Sequence, residues 1–404
     1  MIRINVTNQT EYFRLRKEYL KKIAKYVVFD EVDIIPDSVK EREGKTVETA
    51  RKLKTQFPPL YRFLFNENGT LKKEKLALLL AGPGQLPKSL GGSSPAMSSM
   101  REYFEGIINS CGGVCYGSAA KDCCKKIFLY DNFVANKDAY WLLRKQKIRV
   151  CPYCNRIYTV TLPSKEELRK GEEFKTSRAT LDHFYSQADY PYLAMSLFNL
   201  VVSCWSCNQS KGSKKADIVY PYDEEFGKDA VFCVMPDLSK KAREQTRQVL
   251  NFLHGENELF CIKFMAKDSI TLQNDLPLED RLSAIQNEEL RRRIIASVQM
   301  FHLEELFKEH KKEIRDILRN RYYFDEQYIR AVIYPLISRK MRKNRKINQK
   351  NKVSDCQTGN ENYDDVETMA MDMLFFSYTC HDEWGERPLS KLVSDILEQV
   401  SVPE

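Results

Sequence analysis

The sequence predicts an α+β fold: a small module of short strands and paired cysteines, embedded between mostly α-helical flanking regions. Three observations carry this reading. In residues 8–27, Tyr12, Leu15, Tyr19, Leu20, Ile23 and Val27 recur at spacings of three and four, the helical period, and residues 278–349 show the same periodicity. Between these, residues 151–230 break into short β-prone pieces such as RIYTVTL and RATLDHF, separated by polar segments. Two Cys-x-x-Cys pairs stand in that same region.

Taken in order, the elements give five regions. At 404 residues the chain is longer than one core usually becomes, so two or three domains are expected. Residues 1–100 read as a helical N-terminal region, with further helices near 45–56 and 70–80. The Gly-, Pro- and Ser-rich segment 81–100 marks a loop or linker and the first boundary. Its glycines lack the GxxxxGK[ST] order and a leading apolar strand, so they do not form a phosphate-cradling loop. Residues 101–149 are a helical lead-in, 150–230 the β-prone module, and 231–352 a helical region with a basic end. Residues 353–404 begin as a polar, acidic, loop-like stretch and finish in two helices, 366–378 and 388–400.

Composition narrows the class. With 43% hydrophobic and 30% charged residues and no run of about eighteen apolar residues, the chain reads as globular and without a membrane span. Its start, MIRINVTNQTEYFRLRKEYL, lacks the basic-then-apolar pattern of a secretory signal, so a cytoplasmic location is expected. In that setting twelve cysteines point to thiols and metal ligands before disulfides. The net charge of +8 is compatible with a polyanionic partner, and the run from Arg339 to Lys352 holds eight basic residues and no acidic one. A solvated segment and a phosphate-binding one both fit that run.

Cys151-Pro-Tyr-Cys154 and Cys204-Trp-Ser-Cys207 lie 49 residues apart. Each pair lets two thiolates approach one ion from a tight turn, and two such turns complete the tetrahedron that suits Zn²⁺. Four thiolates leave no open position for water, so this zinc is expected to be structural. Cys111, Cys115, Cys123 and Cys124 form a looser group, read as buried structural thiols together with Cys233, Cys261, Cys356 and Cys380. His302 and His310, in FHLEELFKEH, read as flanks of a packed apolar helix.

Between the cysteine pairs stand Thr180-Leu-Asp-His-Phe184 and Asn199-Leu-Val-Val-Ser203, followed by Cys207-Asn-Gln-Ser-Lys-Gly212. His183 is the one side chain nearby with an ordinary pKa suited to taking a proton at neutral pH. Asp182 supplies the hard oxygen that Mg²⁺ or Mn²⁺ prefers. Lys211, Lys214 and Lys215 are candidates for phosphate contact, with Gly212 allowing close backbone approach; an ordinary solvated lysine patch is the alternative.

This pattern, CPYC…LDHF…YPYL…NL…SCxxCNxxKG over residues 150–226, resembles bacterial members of the HNH, or ββα-metal, endonucleases. The resemblance implies that Asp182 and Asn208 bind a catalytic Mg²⁺ or Mn²⁺, that His183 is the general base and that Asn199 holds the base loop. It also implies phosphodiester hydrolysis to a 5′-phosphate and a 3′-hydroxyl. DNA is the preferred substrate, with RNA, including tRNA, the alternative within the same chemistry. A non-catalytic zinc module binding nucleic acid or a protein partner is the alternative from a different class. Many relatives with this pattern look like nuclease effectors of anti-phage defence or mobile-element systems, some beside an ATPase partner. The arrangement D-H-N-N departs from the commoner H-N-H, and an oxygen-only pair of protein ligands favours Mg²⁺ or Mn²⁺ over softer ions.

Overall fold

The amphipathic N-terminal pattern forms helix α1 (Gln9–Ile23), which runs into a 3₁₀ turn (Ala24–Tyr26) and buries Tyr12, Tyr19 and Ile23. The computed structural model describes residues 1–4, 9–28, 52–90, 98–136, 138–161, 179–214, 217–237, 242–256, 258–269, 276–337, 370–372, 374–375 and 381–400. Before the cysteines follow α2 (Pro58–Leu64), α3 (Lys73–Ala81), α4 (Met100–Ser110), α5 (Ser118–Ile127), α6 (Tyr130–Ala135) and α7 (Asp138–Gln146). The start of α7 is tied to the end of α1, where Lys22, Lys25 and the Tyr26 hydroxyl all reach the Asp138 carboxylate.

The described residues form two compact units, Met1–Glu225 and Phe226–Glu404. Regions 1–100 and 101–149 and nearly all of 150–230, separated by composition, therefore share one unit. The segment expected to be a linker packs into it: Leu86 and Leu90 are buried, and the Tyr12 hydroxyl donates to the Pro83 carbonyl at 2.8 Å. No helix among the described residues is long and apolar enough to cross a membrane.

In the first unit β1 (Thr180–His183) pairs antiparallel with β2 (Leu200–Ser203), with Asp182 opposite Val201 and His183 opposite Leu200. Helix α8 (Trp205–Lys211) follows directly, ending at Gly212, whose φ of +51° suits a residue without a Cβ. Of the two β-prone pieces, RATLDHF supplies β1. RIYTVTL contributes only an isolated bridge, Val150 with Tyr158, among the described residues. Its end meets the start of the β1 segment, where the Ala179 amide donates to Thr161 Oγ1 at 3.4 Å.

The second unit corrects the reading of 231–352 as helical. Two seven-residue strands, β3 (Ala230–Pro236) and β4 (Phe260–Ala266), form an antiparallel pair interrupted by helix α9 (Ala242–Leu253). The uninterrupted apolar run AVFCVMP has no helical period, and all seven residues of β3 are buried. Helices Glu288–Met300 and Lys311–Tyr323 follow the expected periodicity. FHLEELF is not one helix: His302, at φ +49°, breaks it ahead of a short helix, Leu303–Phe307. The last helix, Ser390–Val400, lies along β3 and serves its open edge: Asp395 Oδ2 accepts from the Phe232 amide and Gln399 Oε1 from the Val234 amide. Glu304 does the same for Phe264 on β4, while Arg281 donates to the Phe264 carbonyl and to Glu304. Side chains thus satisfy edge groups that would otherwise be open for pairing. The basic run Arg339–Lys352, the stretch 353–368, Cys356 and Cys380 lie outside the described residues.

Candidate functional site

Two cysteine turns build the metal centre. In the first, Asn155 adopts φ +53°, its amide donating to the Cys151 carbonyl at 2.8 Å, and the Arg156 amide points at Cys154 Sγ at 3.4 Å. The second is the start of α8, where Cys204 precedes the first helical residue and Cys207 lies on its first turn. All four Sγ atoms lie within 4.8 Å of one another, all four residues are buried, and Cys154 Sγ is 4.0 Å from Cys204 Sγ. Tetrahedral Zn–S bonds of about 2.3 Å place sulfurs about 3.8 Å apart, so the group fits a thiophilic ion such as zinc. Among the described residues no other group of three or more His, Cys, Asp or Glu side chains gathers in this way. Cys111, Cys115, Cys123 and Cys124 are buried but do not make such a site.

The hairpin and α8 bring three of the expected residues to one place. Asp182, His183 and Asn208 line a cleft of about 300 Å³, together with Tyr130, Ser186, Gln187, Gln209 and Gly212. Asp182 is only 2% exposed, and its carboxylate accepts from the Tyr153 hydroxyl at 2.7 Å and from Lys211 Nζ at 3.0 Å. A carboxylate has about four acceptor sites, so these two bonds leave capacity for a cation from the cleft side. Asn208, also in the lining, carries a carboxamide oxygen that could serve beside it. The donor set is hard and oxygen-only, which fits Mg²⁺ or Mn²⁺.

His183 Nε2 lies 3.0 Å from the Ala194 carbonyl. A carbonyl only accepts, so Nε2 carries the hydrogen in the neutral ring, and the lone pair is left on Nδ1. Burial pushes the imidazole below its ordinary pKa, and the Tyr130 ring packs edge-on against it at 4.5 Å. The ring is therefore neutral at pH 7 and able to take a proton.

Asn199, fully buried, sets the position of that carbonyl. Its Nδ2 donates to the carbonyls of Leu193 at 3.0 Å and Tyr185 at 3.1 Å, and its Oδ1 accepts from the Tyr185 amide at 2.7 Å. Helical neighbours pin the same connection: the Tyr19 hydroxyl donates to the Met195 carbonyl at 2.7 Å, Ser196 Oγ to Leu79, and Tyr192 to Gly113. Where α3 ends, Gly82 lies so close to Phe198 that a Cβ would meet its ring at 2.9 Å. The helical region of this unit thus acts as a frame for the loop between β1 and β2.

Lys211 is placed differently from the sequence expectation. It is 3% exposed, and besides Asp182 it donates to the His183 carbonyl at 2.6 Å, so it does not offer a surface phosphate contact. Helical spacing held the signal, since Lys211 follows buried Cys207 by four residues and shares its inward face. Lys214 is exposed, its Nζ on the Ser210 carbonyl, and Lys215 lies outside the described residues. Sequence reasoning also missed Tyr153, Tyr130 and the Ala194 carbonyl. Only Tyr153 had a marker, as the aromatic held between two metal ligands. No protein-family model, curated protein or solved structure matches this chain.

Proposed function

We propose that the chain is a metal-dependent endonuclease of the HNH type, with a structural zinc in the four-cysteine site and Mg²⁺ or Mn²⁺ as its catalytic ion. One observation carries the reading: Asp182, His183 and Asn208 meet in one cleft, and the imidazole there is oriented with its lone pair on Nδ1. The hairpin-then-helix order of β1, β2 and α8 supports it, as does the four-cysteine cluster that seats α8.

The cation, held by Asp182 and Asn208, would supply charge neutralisation at the phosphoryl oxygens and the leaving oxygen. His183 Nδ1 takes a proton from water as that water attacks phosphorus, and the P–O3′ bond breaks, the leaving oxygen taking a proton from solvent, to give a 5′-phosphate and a 3′-hydroxyl. Asn199 acts through the Ala194 carbonyl as a positioning residue. Tyr153 and Lys211 fix the direction of the Asp182 carboxylate.

His183→Ala tests the reading. Mg²⁺-dependent cleavage of DNA, or of RNA in a parallel assay, should fall by roughly a hundredfold or more while bound zinc is retained. A His183→Ala protein as active as the parent removes His183 from the chemistry. A parent protein inert on every nucleic acid offered turns the assignment to a binding module.

A further inference from the structure

Trp205 is 68% exposed on the first turn of α8, although tryptophan is a residue that folding normally covers. It makes no hydrogen bond, ring contact or cation contact among the described residues. Its position on the helix is informative. Trp205, Asn208, Gln209 and Gly212 are spaced three, four and seven apart, so they share one face, and the last three line the cleft. The face opposite carries the buried Cys207 and Lys211. Trp205 is not itself part of the lining, but it lies on the helix face that lines the cleft, about 4.5 Å along the helix axis from Asn208 and about 6 Å from Gln209. Stacked bases are about 3.4 Å apart, so that offset corresponds to one or two nucleotides.

The surroundings favour a base over a protein surface. Along α8 the neighbouring exposed or half-buried residues are polar, Ser206, Gln209 and Ser210, and Lys214 is exposed just beyond the helix. Protein interfaces present contiguous apolar patches around their aromatic residues. A flat ring whose neighbours along its own helix are polar and cationic has the arrangement that stacks bases while charge follows the backbone.

We infer that Trp205 is a stacking platform for an unpaired nucleobase, so that the strand entering the Asp182–His183–Asn208 cleft is single-stranded beside the bond to be cut. This rests on the nuclease reading for the identity of the cleft. The test is arranged so that the two stand or fall separately. A paired base has both faces occupied by its neighbours, so the platform selects against intact duplex.

The experiment uses the full zinc-loaded chain carrying His183→Ala, titrated without Mg²⁺ with a twenty-nucleotide oligo(dT), the matching oligo(rU) and a duplex of the same length. Of the three tryptophans, Trp384 is buried and Trp141 half-buried, so Trp205 dominates the quenchable emission. Single-stranded oligonucleotide should quench that emission, and adding Trp205→Ala should weaken binding roughly five- to a hundredfold, with Trp205→Phe between the two. Duplex should bind more weakly and leave the emission unchanged. Equal affinity of the Trp205→Ala protein for single strands, or quenching by duplex alone, overturns the inference and leaves the indole to a protein partner. If the parent cleaves and Trp205→Ala leaves KM unchanged, stacking fails and the nuclease stands. If the parent never cleaves yet single strands quench Trp205, the nuclease fails and stacking stands.

Discussion

Among the described residues the two antiparallel strand pairs share apolar burial and differ in what is added to it. Strands β3 and β4 are seven residues long, β3 is buried throughout, and each edge is met by helix side chains: Asp395 and Gln399 on β3, Glu304 and Arg281 on β4. Strands β1 and β2 have four residues each, too few for an isolated pair to be stable in water. They depend on the four-cysteine cluster and on a buried polar set, Asp182, Lys211, Tyr153 and Asn199. An apolar hairpin offers neither a hard metal ligand nor a proton acceptor. In the short hairpin these polar groups stand beside an apolar strand, since Leu200, Val201 and Val202 of β2 are fully buried, and beside four cysteines that could hold a metal.

Removing the metal is the largest test of that contrast. Structural zinc contributes on the order of 10 kcal/mol to small metal-dependent modules, comparable with the whole stability of a domain. Cys204→Ser, or chelation of the parent, should release zinc and expose the amides of 179–212 to hydrogen exchange, while those of β3 and β4 stay protected. Protection of β1 and β2 in zinc-free protein would break the comparison.

Next comes the ion pair behind the other hairpin. Lys391, fully buried, reaches Asp395 at 3.0 Å, so Asp395→Ala leaves the ammonium with the Gly227 carbonyl and the Trp384 ring but without this counter-charge, and frees the Phe232 amide. Urea denaturation should show a loss of about 3–5 kcal/mol in the second unit, with zinc content unaltered. A loss under about 1 kcal/mol would mean the edge is not held as described.

The corresponding change in the first unit, Lys211→Met, leaves Asp182 with Tyr153 as its only partner. In Mg²⁺-free buffer it should cost about 3 kcal/mol. Millimolar Mn²⁺ should then raise the melting temperature of this variant more than that of the parent. An absence of rescue would argue that Asp182 is closed to cations.

The smallest effect lies at the junction of α1 and α7. Burial alone would push Asp138 up, but hydrogen bonds from Lys22, Lys25 and Tyr26 outweigh it and hold the carboxyl below its ordinary value. A carboxyl lowered on folding adds stability above the unfolded pKa of about 3.9 and loses it as pH falls through the folded value. Asp138→Asn should therefore be about 1–2 kcal/mol less stable at pH 7, and the gap should close below about pH 4. A gap independent of pH would point to shape and not charge.

Much of the site was legible because its chemistry is local. Cysteine pairs mark their own turns, and Asp182-His183 sits on a recognisable β-prone piece. What escaped was set by tertiary context. The β3 run AVFCVMP reads equally as buried helix or buried strand, and only its pairing with Phe260–Ala266 decides between them. Lys211 looked like one of a patch of surface lysines, and its burial follows from the Asp182 carboxylate behind it. Residues 81–90 carry linker composition, yet Leu86 and Leu90 find a core to enter. The Ala194 carbonyl has no residue-type signature at all, since any residue could supply it.

The contact between the Ala179 amide and Thr161 Oγ1 has a bearing on how such a module can be altered. The residues on either side of 162–178 meet there, outside the β1–β2–α8 core and ahead of Asp182. Loop-closure entropy grows slowly, so doubling the number of residues between those two points costs only about 0.6 kcal/mol. A foreign domain with adjacent termini could be spliced there without altering the spacing of Asp182, His183, Asn199 and Asn208. That position is a natural seam of the module, where a new element could be grafted and the Asp182–His183–Asn208 cleft left as it is.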